Sequence, residues 1–112
     1  MDINQEVTDG MAVYRVTGRI DGLTSPDLEQ ALSSSINGGT SRVILDMRAV
    51  TYISSAGLRC ILSTAKRAKA GQGGLAVFGL QSAVNEVFEA SGFNTVLPVV
   101  SDENEARLRL GA

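Results

Sequence analysis

Val43-Ile44-Leu45 is an aliphatic run with no polar alternation, closed by Asp46, and it constrains the fold more than any other stretch of the chain. A strand that is apolar on both faces must be covered on both faces, which points to helices packed on a largely parallel sheet. The run therefore predicts the central strand of a layered α/β domain. Asp46 is the expected end of that strand, and Met47 to Ile53 the connection that follows it.

The flanking segments supply the layers. Ile3 to Val7 and Met11 to Gly18 read as extended runs joined by Thr8-Asp9-Gly10, whose Asp-Gly pair supplies the positive φ of a tight hairpin. Ala12, Tyr14 and Val16 share one face of the second run; Met11, Val13, Arg15 and Thr17 share the other, and Gly18 is the expected break. Thr24-Ser25-Pro26-Asp27 offers a hydroxyl N-cap, a proline for the first turn and an acid at the positive helix pole. Leu28, Ala31, Leu32, Ser35 and Ile36 then recur at helical spacing up to Asn37-Gly38-Gly39.

A second helix is predicted after Ser54-Ser55-Ala56-Gly57, with Leu58, Ile61, Leu62, Ala65 and Ala68 inward and Gly71 as its stop. Leu75 to Phe78 reads as a strand, and Ser82 to Ala90 as a third helix with Val84, Val87 and Phe88 inward and Gly92 as its cap. Thr95 to Val100 reads as an edge strand because Pro98 has no amide hydrogen for a ladder. Asp102 and Glu105 have capping-box spacing before a short last helix. The order predicts a mixed central β-sheet with an N-terminal hairpin and about four helices.

Length and composition narrow this further. The 112 residues, 44% hydrophobic, suffice for one core and are expected to form one domain, 1–112. Aromatics are only 4% and Trp is absent, so the core has to be aliphatic. A (β/α)8 barrel is excluded by length, and no G-x-G-x-x-G follows a strand. Gly38-Gly39 and Gly71-Gln72-Gly73-Gly74 follow helices and read as caps and turns.

The absence of His removes histidine triads, imidazole metal sites and imidazole switches. Cys60, the one cysteine, has no partner for a disulfide or a cysteine-rich zinc site and reads as a packed thiol in a reducing compartment. A net charge of −2 gives no basic excess for a phosphate backbone, so nucleic acid is not an expected partner. No apolar run approaches the ~20 residues that span a bilayer, and a soluble cytoplasmic protein without membrane insertion is expected. No metal or cofactor is expected.

The chemistry-bearing segment is Ser54-Ser55-Ala56-Gly57, a serine pair where a central strand empties into a helix N-terminus. One reading is capping, with Ser54 or Ser55 accepting a hydrogen bond from an unpaired backbone amide. The other is modification: a helix N-terminus tolerates an added phosphate, whose charge of about −1.5 to −2 would repel a docked partner without unfolding the domain.

At this point the sequence resembles the STAS domain family and, within it, the anti-sigma factor antagonists. Gly18-Arg19-Ile20-Asp21, Leu28 with Leu32, Val43-Ile44-Leu45-Asp46 and Tyr52-Ile53-Ser54-Ser55-Ala56-Gly57-Leu58 carry the resemblance. Phe78-Gly79-Leu80, Val84, Phe88 and Ser91-Gly92-Phe93 extend it over nearly the whole chain. The resemblance implies a phosphorylatable residue two positions before Gly57-Leu58, at Ser55, with Ser54 as the alternative; many antagonists have Asp at the place of Ser54. It also implies partner contacts at Asp21, Ser54, Ala56, Gly57 and Arg59. Asp21 is either an acid beside the phosphorylation site or a turn acid, and Asp46 reads as structural.

Partner switching is the mechanism so implied. The unmodified protein binds an anti-sigma factor that is also a serine kinase with an ATP-binding fold, and so frees a sigma factor; phosphorylation releases the kinase, and a PP2C-type phosphatase resets the cycle. The protein is then a substrate and not an enzyme. A rival reading is a constitutive STAS subunit of a lipid-transport ABC system or a sensory assembly. A serine hydrolase lacks a base within the motif, with Lys66 or Asp21 the only imaginable ones. The cationic side chains Arg59, Lys66, Arg67 and Lys69 read as a solvated helix side or a surface for an acidic partner.

Overall fold

The hairpin predicted at Asp9-Gly10 joins β1 (Asp2–Thr8) to β2 (Met11–Ile20), and both turn residues have the positive φ that the tight connection requires, 54° and 75°. The computed structural model describes residues 1–111. Beyond the hairpin follow α1 (Ser25–Asn37), β3 (Arg42–Ile53), α2 (Ser55–Ala70), β4 (Gly74–Phe78), α3 (Ser82–Ala90), β5 (Val99–Val100) and α4 (Glu103–Arg109). The strands form one sheet in the order β1-β2-β3-β4-β5. Only β1 and β2 are antiparallel; every later pair is parallel, so β3 is central.

Each face of the sheet has its own cover. Ala12, Tyr14, Val16, Leu45, Met47 and Val77 belong to one buried cluster with Leu28 and Leu32 of α1, Ile61 of α2, and Val84 and Phe88 of α3. The Tyr14 hydroxyl donates to the Ala31 carbonyl at 2.7 Å and also meets the Ser35 hydroxyl, tying α1 to β2. On the opposite face Met11, Val13, Ile44, Ala76, Phe78 and Val100 pack with Ala106 of α4, and Leu110 joins them. Val43, Ile44 and Leu45 are all buried, as a strand covered on both faces demands.

Charge completes the second face. Asp46, 5% exposed, receives Arg15 at 3.1 Å and Arg48 at 2.8 Å. Arg15 also reaches Glu6 and Glu103, each at 3.0 Å, and Arg107 closes on Glu103 at 3.0 Å. One network thus joins the hairpin, β3 and α4. Burial pushes the Asp46 carboxyl up, but hydrogen bonds from the Arg48 side chain, the Arg48 amide and Arg15 outweigh it and hold the group below its ordinary range. For Glu103, burial likewise acts upward and the Arg15 and Arg107 hydrogen bonds prevail downward.

The structure corrects three boundaries. Asp46 does not end its strand: β3 runs on to Ile53, and the expected connection Met47 to Ile53 is strand paired to β2 alone. Gly18 does not break β2 either; with φ at 101° it sits at a register shift and the strand continues to Ile20. Of Thr95 to Val100, only Val99–Val100 is strand, because Phe93–Thr95 closes into a 3-10 turn after Gly92. At the other predicted ends, Gly71 caps α2 and the Asp102 carboxylate accepts from the Glu105 amide at 2.8 Å. No helix among the described residues is long and apolar enough to cross a membrane.

Candidate functional site

The far ends of β2 and β3 carry the site. The Ser54 amide donates to the Ile20 carbonyl at 2.9 Å, which fastens the start of α2 to the end of β2. Gly57 makes that approach possible. A Cβ there would lie 2.8 Å from both Ile20 Cγ2 and Ile53 Cγ1, and 3.0 Å from the Ile20 oxygen. Any side chain would force the helix away from the strand.

This placement divides the two serines. Ser54, with extended backbone angles, is the N-cap: its hydroxyl accepts from the Gly57 amide at 3.3 Å. Ser55 is the first helical residue, is exposed, and makes no side-chain hydrogen bond among the described residues. Ala56 is half-buried beside it. Arg59 is exposed one turn further along α2 and forms no ion pair among the described residues.

Asp21 follows Ile20 and is brought to the same end of the sheet, but its carboxylate is occupied. Oδ1 accepts from the Leu23 amide at 3.0 Å and the Thr24 amide at 3.1 Å, and Oδ2 stands 3.6 Å from Arg19 Nε. The Leu23 and Thr24 amide bonds hold the carboxyl below its ordinary range, with the Thr24 hydroxyl and Arg19 adding to them against burial. The turn-acid role is the one its bonds perform. The predicted Thr24 cap fails for the same reason: the Thr24 hydroxyl donates to the Arg19 carbonyl at 2.8 Å and accepts from the Asp21 amide at 2.9 Å, so it leaves the helix amides alone.

Two neighbours at this rim have no role assigned from the sequence: Arg19, although it stands in the Gly18-Arg19-Ile20-Asp21 motif, and Leu23, which stands in none. Arg19 stacks over the Tyr52 ring, 4.2 Å from its centroid, at a cross-strand pair of β2 and β3. Leu23, between Gly22 and Thr24, stands almost wholly in water. An apolar residue in a turn was the only sequence signal for it. The imagined serine bases are not in place: Lys66 lies eleven residues along α2, about 16 Å by helical rise, and Asp21 is committed to its turn. Cys60 is buried on α2; burial first, then the charge of Glu29, pushes its thiol up to about 11 against the Thr64 hydroxyl.

A small mixed-sheet α/β protein that presents a free serine at the first position of a helix, beside a capping serine and a packed glycine, is the class these elements define. The model of the STAS domain matches residues 2–106, and the chain belongs to that family. BtrV of Bordetella bronchiseptica, named as a candidate anti-sigma factor antagonist, is 37% identical over 106 residues, covering 95% of this chain and 91% of BtrV. Among solved structures, a candidate anti-sigma factor antagonist from Thermotoga maritima shares the fold with a TM-score of 0.92 at 14% identity, over 98% of this chain and 95% of that one. The Bacillus cell fate determinant SpoIIAA in its phosphorylated form gives 0.75 at 22% identity, over 96% and 98%.

Proposed function

We propose that this chain is an anti-sigma factor antagonist that works by phosphorylation-controlled partner switching in the cytoplasm, with residues 1–112 acting as one STAS module. The observation that carries the reading is the division of labour at α2: Ser54 is engaged as the cap, and the Ser55 hydroxyl is exposed and unbonded. An anti-sigma factor with an ATP-binding serine kinase fold docks on Ser54, Ala56 and Arg59, while Gly57, expected from the sequence as a contact, is buried against Ile20 and Ile53 and supports that surface from beneath. Asp21 fixes the neighbouring turn. Ser55 Oγ then attacks the γ-phosphorus of the kinase-bound ATP, the bond to the bridging oxygen breaks, ADP leaves, and the serine proton passes to solvent. The added charge of about −1.5 to −2 at the docking surface separates the pair. A PP2C-type phosphatase hydrolyses the phosphoester and restores the serine. The names of the relatives and the phosphorylated state of SpoIIAA support this reading.

The test is affinity capture with wild type, Ser55→Ala and Ser55→Asp as baits, with and without magnesium ATP, followed by mass-spectrometric site mapping. The expected result is one kinase held by wild type and Ser55→Ala, lost by Ser55→Asp, with phosphate on Ser55. Phosphate on Ser54 would move the acceptor by one residue. Retention of the same transporter ATPase or scaffold by all three baits, whatever the ATP, would replace switching with a constitutive subunit role.

A further inference from the structure

Leu23 is 90% exposed, yet the turn that holds it is fixed by hydrogen bonds on either side. Besides the two amides bound by Asp21 Oδ1, the Thr24 hydroxyl bridges the Asp21 amide and the Arg19 carbonyl, and the Ser25 amide donates to the Asp21 carbonyl at 2.8 Å. Singly exposed leucines are ordinary on protein surfaces. This one differs in being held out by a pre-ordered turn, so docking it freezes little additional backbone.

Its position is as informative as its exposure. Leu23 lies three residues from Ile20, at most about 11 Å of chain, and the Ile20 carbonyl is bonded to the Ser54 amide. Two guanidiniums lie near it, and one of them, Arg19, also faces the Asp21 carboxylate of the same turn at 3.6 Å. Arg19, 61% exposed, is stacked on Tyr52, itself 42% exposed, and Arg59 projects from α2 one turn beyond Ser55.

Resting on the partner-switching reading, we infer that Leu23 is the apolar anchor of the antagonist surface. It enters an apolar pocket of the kinase, and Arg19 and Arg59 face carboxylates at the edge of that pocket. The same arrangement explains how one phosphate releases the partner. A phosphate on Ser55 stands at i, i+4 spacing from Arg59, so it draws that guanidinium to itself and sets negative charge against the carboxylates of the kinase.

The kinase recovered by wild type is expressed, purified and titrated by calorimetry with full-length wild type, Leu23→Met, Leu23→Ser, Leu23→Asp and Arg59→Glu. Leu23→Ser is expected to weaken binding about 10-fold and Leu23→Asp about 100-fold, with Leu23→Met within about threefold of wild type. Arg59→Glu is expected to weaken it about 10-fold in low salt and less in high salt. Melting temperatures should stay at the wild-type value, since these side chains are in water. If Leu23→Asp folds poorly, Leu23→Ser against Leu23→Met decides. Wild-type affinity in both polar variants, with release by Ser55→Asp intact, overturns the anchor and leaves switching standing. Recovery of no ATP-binding kinase by wild type overturns switching and the anchor together.

Discussion

Against one face of the sheet, α1, α2 and α3 bury an aliphatic cluster that contains hardly any charge; against the other, seven-residue α4 covers a smaller cluster and is fastened by Arg15, Asp46, Glu103 and Arg107. Burial of apolar surface is non-directional and binds or releases no proton, whereas the second face depends on which groups are ionised. The site belongs to the first face, since α2 grows out of it. The docking surface proposed above is therefore mounted on the part of the molecule that charge disturbs least, as the proposed addition of a phosphate requires.

The largest effect expected from this difference is in the apolar layer. Ile61→Ala removes a fully buried side chain that touches that cluster, at a cost of about 2–5 kcal/mol by denaturant unfolding. A smaller loss for Ile61→Ala than for removing the Asp46 charge would reverse the ranking of the two faces.

Acid sharpens the same contrast. Asp46 and Glu103 both have carboxyls held below their ordinary range. Such groups add stability above the unfolded-state value, near pH 4, and the contribution disappears as pH falls through the lower folded value. Below about pH 4, the amides that close α4, such as that of its C-cap Leu110, should lose hydrogen-exchange protection before those of α2. Asp46→Asn should cost about 1–3 kcal/mol at neutral pH and flatten the acid dependence, because Arg15 and Arg48 lose the charge they share and one of its two accepting oxygens becomes a donor. An unchanged acid profile in Asp46→Asn would mean that Asp46 adds nothing to the acid dependence and that Glu103, held by Arg15 and Arg107, carries it.

How much could be read from the chain follows the range of the interactions. Asp9-Gly10 and Ser54 to Gly57 act through their own backbone, so the hairpin and the start of α2 were legible. The second half of β3 was not. Its inward residues are Leu45, Met47, Val50 and Ile53, a spacing stretched past two by the register shifts opposite Arg15 to Thr17 and Gly18 to Arg19. Neither strand nor helix period matches that pattern. The Arg15 network joins residues 31 and 88 positions apart, and only the fold brings them together. Leu23 was missed because its meaning lies in the turn bonds beneath it.

The smallest effect separates the two serines and therefore bears most directly on the site. Ser54→Ala removes the N-cap bond of α2, and because that bond is long, 3.3 Å, the loss should fall near 1 kcal/mol, toward the middle of what such caps contribute. Ser55→Ala removes a hydroxyl that bonds to nothing among the described residues and should stay within about 0.5 kcal/mol of wild type. Urea unfolding of the two variants resolves a difference of that size if their slopes agree. The reverse order would make Ser55 the cap and Ser54 the free hydroxyl. The phosphate acceptor proposed above would then move to Ser54, because a hydroxyl already holding a helix amide has to give up that bond to enter a kinase.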